Sequence, residues 1–374
     1  MVKAYQKCCG PIPVLKPSLP SAEELIPYLK SIDNNRQYSN FGPLVKIFEQ
    51  RICNFHKKMF KEQVFAASVS NGTAALTLSL LAMDLPQNSL IAIPALTFVA
   101  TANAVLNAGH VPVVLDVDPC NWMLTPQYFD NVMKHKIELQ GIKAVVPVCT
   151  FGMRQDLKGW KDVMSLHGVK VVIDAAGAIG GQESALGIPI VVSLHATKAL
   201  TCGEGGLVLS GDQSFIEKIK ALSNFGFGFD DLQGGTNAKL SEYAAAVGNA
   251  DLDRFENTAQ VRRKLFSNYV TALTDIGFTP NSFQQGFKVF APALFNILLE
   301  DGERRLSVER AMQNQNIMTR RWYLPLIHNI QHLKRIKTPV SLTNAEELEQ
   351  RIIGLPFYSD LSDADLNRVV ATLA

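Results

Sequence analysis

Apolar residues along this chain fall into short continuous runs, separated by stretches in which they recur at helical spacing. The segment 21–34, SAEELIPYLKSIDN, reads as a short helix with Ser21 as N-cap and Glu24 at the capping-box position. A Gly-Pro turn in NFGPL then leads into a helix to about residue 57. Residues 63–69 are apolar and β-branched enough for a strand, and SNGTAALTLSLLAM turns from a Gly-containing loop into a helix. From there strand and helix alternate. LIAIPAL (90–96) precedes TFVATANAVLNAG, which ends at Gly109; VPVVLDVD precedes TPQYFDNVMKHK, which starts at Thr125; AVVPVCTFG precedes LKGWKDVMSLHG; and VKVVIDAAG follows. VVSLHAT and GLVLS add two further short strands.

The strand segments are runs of Val, Ile and Leu, as expected where both sheet faces are covered. Repeated strand–helix units at this spacing predict an α/β fold with a mostly parallel, doubly wound sheet. From about residue 213 helical patterns dominate to about 275, most clearly in SEYAAAVGNADLDRFENTAQVRRKLFSNYVTAL. A strand-like stretch, KVFAPALFNILL, then ERRLSVERAMQNQ as a helix and DADLNRVVATLA as the last helix complete the pattern. The expectation is an N-terminal arm and large domain over 1–249 and a smaller C-terminal α+β domain over 250–374, with the arm packed on the latter. No internal repeat or low-complexity segment is visible.

Composition agrees with a two-domain subunit. The chain has 374 residues, 47% hydrophobic and 19% charged, enough to build a sizeable core. A net charge of +2 argues against a nucleic-acid partner, which calls for a concentrated basic face. The segment MVKAYQKCCGPIPVLKPSLP has no apolar stretch of signal-peptide length, and no segment approaches the roughly 20 apolar residues of a membrane helix. A cytoplasmic protein without membrane contact is expected. The six cysteines (Cys8, Cys9, Cys53, Cys120, Cys149, Cys202) form no C-x-x-C pair and none stands at zinc spacing to a histidine, so reduced thiols and no metal site are expected.

Four features fall at the carboxyl ends of predicted strands, where open parallel sheets bind ligands. In Ser70-Asn71-Gly72-Thr73-Ala74 a loop enters a helix whose free N–H groups suit a phosphate, although Ser, Asn and Thr are also ordinary caps. Phe98, after LIAIPAL, offers a face for a flat ring, or else a core aromatic. Asp174, in VVIDAAG, would cap the next helix or face a protonated ring nitrogen. Lys198, in SLHATKALTCGEGG, stands beside small residues; most lysines are surface residues, but the glycines at 203, 205 and 206 clear space for something bulky.

Together SNGTAAL, PALTFVATANAV, VDPCNWMLTP, VVIDAAGAIGG, SLHATKALTCGEGG and IIGLPFYSDLSD resemble the DegT/DnrJ/EryC1/StrS group, from about Gly42 to Leu361. This is the sugar-aminotransferase branch of the fold-type I pyridoxal-phosphate (PLP) enzymes. The resemblance implies that Lys198 forms the Schiff base with pyridoxal 5′-phosphate and that Asp174 partners the pyridine nitrogen. It also implies that Phe98 stacks on the ring and that Gly72, Thr73 and Ser193 contact the phosphate. GTNAKLSEYAAA looks like the family's loop to a neighbouring subunit's phosphate, so Asn237 and Lys239 are candidates supplied in trans within a homodimer. RRWYLPLIH resembles its substrate-side loop, which makes Tyr323 and His328 substrate candidates, and Asn40 is a third. One departure stands out. Where the family often has Gln or His, this chain has Gly177, which cannot reach the cofactor's phenolic oxygen with a side chain.

The implied activity is ping-pong transfer of an amino group from L-glutamate, through pyridoxamine 5′-phosphate, to a nucleotide-linked keto sugar. A dTDP-4-keto-6-deoxyhexose is the expected acceptor, giving an amino-dideoxy sugar nucleotide. The alternatives are a sugar dehydratase of the same family, in which histidine replaces the lysine, a PLP-dependent lyase acting on amino acids, and a non-catalytic regulatory homologue.

Overall fold

The computed structural model describes residues 10–136, 139–229, 234–284, 292–333 and 336–374. The Cys8-Cys9 pair and residues 288–291 of the strand-like stretch lie outside them. The first part of the chain forms α1 (Ala22–Asn35), α2 (Pro43–Phe60), β1 (Phe65–Val69), α3 (Gly72–Ala82), β2 (Leu90–Pro94), α4 (Val99–Asn107), β3 (Val111–Leu115) and α5 (Pro126–His135). The alternation continues through β4 (Ile142–Val145), α6 (Leu157–His167), β5 (Lys170–Val171), β6 (Ile173–Asp174), β7 (Ile190–Ser193), β8 (Gly206–Ser210) and α7 (Gln213–Ser223). The remainder comprises α8 (Glu242–Asp275), β9 (Phe295–Leu298), α9 (Gly302–Asn314), α10 (Thr343–Arg351), β10 (Ile352–Leu355) and α11 (Asp363–Ala371).

Strands β3, β2, β4 and β5 lie side by side and parallel. Strand β6 continues β5 after Val172 and is parallel to β7, and it is tied to the chain leaving β4 by hydrogen bonds from Cys149 N to Asp174 O and from Asp174 N to Pro147 O, both 2.9 Å. Strand β8 runs antiparallel to both β7 and β1. No helix intervenes between β7 and β8, so the chain folds back where a parallel crossover would need one. The strands are buried almost throughout, which accounts for their continuous apolar composition.

Helix α8, about 50 Å long by its 34 residues, links two cores. Its first turns bury Ala245 and Ala246 with α2 and the sheet, whereas Leu265, Tyr269 and Leu273 pack with β9, β10, Phe357 and α11. The helix runs unbroken through residue 250. Segment 326–352 returns to the sheet, where Leu326, Ile327, Leu342 and Leu348 join the core of α3 and α4. The N-terminal arm docks by main-chain bonds from Ile12 N to Asn316 O (2.9 Å) and from Phe357 N to Val14 O (3.1 Å).

Most helices begin on their own cap, and the capping box of Ser21 and Glu24 forms as expected. Two are capped from afar. Gly42 offers α2 no side chain, and the buried Glu242 carboxylate accepts the N–H groups of Leu44 and Val45 at 2.9 Å each. Helix α10 is served by Asp116, which accepts from Asn344 N (3.0 Å) and Ala345 N (2.9 Å). Among the described residues no helix is long and apolar enough to cross a membrane.

Candidate active site

The ends of β2, β4, β6 and β7 and the starts of α3 and α4 open onto one cavity of about 420 Å³. Gly72, Thr73, Phe98, Asp174, Ser193, Lys198 and Tyr323 line it. Asp174 ends β6 and is 8% exposed. Thr101 Oγ1 donates to its Oδ2 at 2.9 Å and the Ala176 N–H to its Oδ1 at 3.1 Å. The hydroxyls of Thr97 and Thr101 lie 2.8 Å apart; with the Thr101 proton given to the carboxylate, Thr97 is the donor between them. Burial raises the pKa of Asp174, while the bonds from Thr101 and Ala176 and the charge of Lys198 pull it back.

Lys198 is the complement. It sits in the loop after β7, where Leu194 N to Gly205 O and Ala196 N to Gly203 O, both 2.8 Å, fold the chain back on itself. Burial lowers its pKa and the charge of Asp174 opposes that shift. The amine is thereby drawn toward its neutral, nucleophilic form. The glycines behind it serve a different purpose from the one expected. A Cβ on Gly206 would lie 2.3 Å from Asn71 O, so this glycine lets β8 approach the start of α3, and Gly203 turns the chain at φ +78°. They shape the cavity's supports and not its void.

At the other end, Asn71 caps α3 by accepting from Ala74 N at 2.8 Å. Helix geometry leaves the N–H groups of Gly72 and Thr73 without a partner along the chain. A Cβ on Gly72 would meet Ser193 Cβ at 3.0 Å, so that pair forms one small-residue cradle with free donors and the positive end of the helix. Phe98 is 55% exposed, which sets aside the core-aromatic alternative. Its ring lies 5.8 Å from that of Tyr323, whose hydroxyl pKa is raised by burial and by Asp174.

The other candidates lie elsewhere on the chain. Asn237 is exposed, and Lys239 donates to Asn224 Oδ1 at 2.8 Å with its ammonium 4.9 Å from the Phe225 ring. Neither lines this cavity. Asn40 is an exposed residue at φ 59°, also outside it. His328 faces Glu346 at 3.6 Å in a separate cleft; it follows Pro325, and the chain bends away from the cavity after Tyr323. Gly177 does line the cavity, and a Cβ there would sit 2.9 Å from Ala293 Cβ, so the space a Gln or His would use is already filled by segment 292–294.

Several residues in or behind the cavity wall escaped the sequence. Thr101 is invisible as a site residue because it lies inside a helix, one turn from Phe98. Arg320 and Trp322 stand in the very segment that drew attention to Tyr323, and their alternation around Arg321 is the signal that would have found them. His195 and Glu204 flank Lys198 and pair at 3.5 Å.

The residues present suit PLP. A buried carboxylate whose pKa is raised by burial matches a protonated pyridine nitrogen, whose charge offsets that cost. The cradle at Gly72, Thr73 and Ser193 suits a phosphate, the Lys198 amine with its lowered pKa suits an aldehyde, and Phe98 offers a ring face.

Residues 20–374 match the profile of the DegT/DnrJ/EryC1/StrS aminotransferase family. A dTDP-4-amino-4,6-dideoxy-D-glucose transaminase of Shigella dysenteriae is 31% identical over 373 residues, covering 97% of this chain and 98% of the relative. Among solved structures, DesI, crystallised with its TDP-sugar product, superposes with a TM-score of 0.85 at 28% identity, covering 97% of this chain and 92% of its own. A Bacillus cereus structure described as a PLP-dependent aminotransferase candidate reaches 0.88 at 28% identity, covering 97% and 100%.

Proposed function

The chain belongs to the DegT/DnrJ/EryC1/StrS aminotransferase family, and from that premise we propose that it moves an amino group from L-glutamate to a nucleotide-linked keto sugar. It is a PLP-dependent aminotransferase. The acceptor is a dTDP-4-keto-6-deoxyhexose and the product the corresponding amino-dideoxy sugar nucleotide, a reading supported by the Shigella relative and by DesI. The observation that carries it is a buried carboxylate and a half-buried amine on one cavity, with their pKa values displaced in opposite directions.

Bound in this cavity, PLP supplies a conjugated ring into which the electrons of a broken C–H bond delocalise. Asp174 would partner the protonated ring nitrogen and hold that proton in place, and the bond from Thr101 would favour the ionised carboxylate. Gly72, Thr73 and Ser193 hold the phosphate. Phe98 covers the ring and, with Tyr323, keeps water from the reacting carbon. Lys198 would anchor the cofactor's aldehyde at rest; with its amine free, it would take the proton from the donor's α-carbon in the first half-reaction and, in the second, deliver a proton to the sugar carbon that receives the nitrogen.

The active unit is a homodimer in the cytoplasm. Asn237 and Lys239, exposed or partly exposed beside the apolar Phe225 and Phe227, reach the partner's phosphate. Free Cys53, Cys120, Cys149 and Cys202 suit a reducing compartment. The test is incubation of purified protein and L-glutamate with a panel of keto-sugar nucleotides, followed by mass spectrometry and NMR. An amino sugar nucleotide is the expected product. An elimination product, or amino-acid breakdown without transfer, would overturn the reading.

A further inference from the structure

We propose that Arg320 is the oxyanion-binding residue of this site, receiving a carboxylate or phosphate oxygen of the incoming substrate at the cavity mouth. The inference rests on the aminotransferase reading above, because it takes its ligands from that reaction.

Arg320 lines the same cavity as Asp174 and Lys198. Its backbone is pinned in both directions, Arg320 N to Gly354 O at 3.1 Å and Gly354 N to Arg320 O at 2.7 Å. Its guanidinium lies 5.0 Å from the ring of Trp322. That indole is seated in its turn, because a Cβ on residue 354 would lie 2.6 Å from Trp322 Cδ1 and only a glycine leaves the room. An arginine stacked on an aromatic keeps its N–H edge free and loses little further freedom on binding a planar anion.

Its charge is unspent. Arg51, Arg154, Arg254, Arg305 and Arg368 each pair with a carboxylate. Among the described residues no carboxylate lies within 4.0 Å of the Arg320 guanidinium. Elsewhere in the cavity Asp174 and Lys198 act on each other, and Glu204 lies 3.5 Å from His195. Arg320 is therefore the cation left over where substrates enter. Both substrates of the proposed reaction carry oxyanions, as two carboxylates on glutamate and a diphosphate on the sugar nucleotide, and a guanidinium edge accepts either.

The test compares Arg320→Gln and Arg320→Lys holoenzymes with the parent. Binding of L-glutamate and of L-alanine is titrated from the change in cofactor absorbance without any sugar, and thymidine 5′-diphosphate is titrated as a competitive inhibitor. Arg320→Gln is expected to weaken one of these ligands roughly 10- to 100-fold, the factor of a lost charge-assisted hydrogen bond. Arg320→Lys should recover part of it, and the resting cofactor absorbance should stay unchanged. Loss for glutamate alone assigns the side-chain carboxylate, loss for glutamate and alanine the α-carboxylate, and loss for the diphosphate the nucleotide. Unchanged affinity for all three ligands overturns the proposal, as does a variant whose cofactor absorbance is itself altered. A parent enzyme that fails to respond to glutamate at all would instead refute the aminotransferase reading.

Discussion

Replacing Thr101 with valine removes one hydroxyl from beneath Asp174 and should move the pH profile of the enzyme. Thr101 Oγ1 donates to the carboxylate at 2.9 Å, and Asp174 is only 8% exposed. A hydrogen bond to a charged group contributes about 1.5–3 kcal/mol, and about 1.4 kcal/mol corresponds to one pKa unit. The bond favours the ionised form, so its loss disfavours that form. Burial already raises the pKa of Asp174, and Thr101→Val raises it further, by the equivalent of that lost hydrogen bond. Ionised Asp174 is the working form. The acid limb of kcat/KM for glutamate should therefore shift to higher pH by about that amount, as an apparent value for the coupled pair of Asp174 and Lys198. Thr101→Ser keeps the donor and should leave the limb in place. Thr97→Val, acting only through Thr101, should move it less. If Thr101→Val keeps normal cofactor absorbance and its acid limb stays put or moves down, the assignment of Thr101 as the group that keeps Asp174 ionised is refuted.

Three further outcomes are expected. Lys198→Ala should fold as the parent does and lose at least about 10³-fold in turnover, since both anchor and proton carrier are gone; measurable turnover without added amine would contradict the assignment. Glu242→Ala should leave two buried N–H groups at the start of α2 without an acceptor and cost about 2–4 kcal/mol, checked as a lower thermal midpoint. Gly177→Gln should not introduce a new cofactor contact: its Cβ would meet Ala293 at 2.9 Å, so a loss of about 1–3 kcal/mol in stability is expected, and a stable variant with a shifted cofactor spectrum would show that segment 292–294 yields.

The sequence disclosed what is local and periodic. The apolar runs of β2 and β3 and the capping box at Ser21 are decided by neighbours a few residues away, and they stand where the pattern placed them, whereas β7 stops at Ser193, short of the VVSLHAT segment's end. Asp174 and Lys198 share one cavity because strand ends converge on one crevice, so naming two strands was enough to bring the last residue of β6 and the loop after β7 together. What escaped depends on pairings across the chain. Helix α10 starts on Leu342, which has no capping side chain, and its cap is Asp116, read only as part of a strand. Glu242 likewise looked like an ordinary first-turn glutamate of α8, while its carboxylate serves α2 across 198 residues. The GEGG glycines show the same limit from the other side. Their small size was taken as room for a ligand, whereas Gly206 makes room for the backbone of Asn71. A glycine states that something comes close, and only the fold says what. The same logic bears on Gly177. The sequence shows only that a side chain is missing, whereas in the fold Ala293 lies against Gly177, held by the carbonyls of Pro292 and Ala293 that accept from the buried Arg262 guanidinium at 3.1 and 2.9 Å. The wall of the site at that point is set by a helix residue 85 positions away from the glycine (262 − 177 = 85), an arrangement that no local pattern carries.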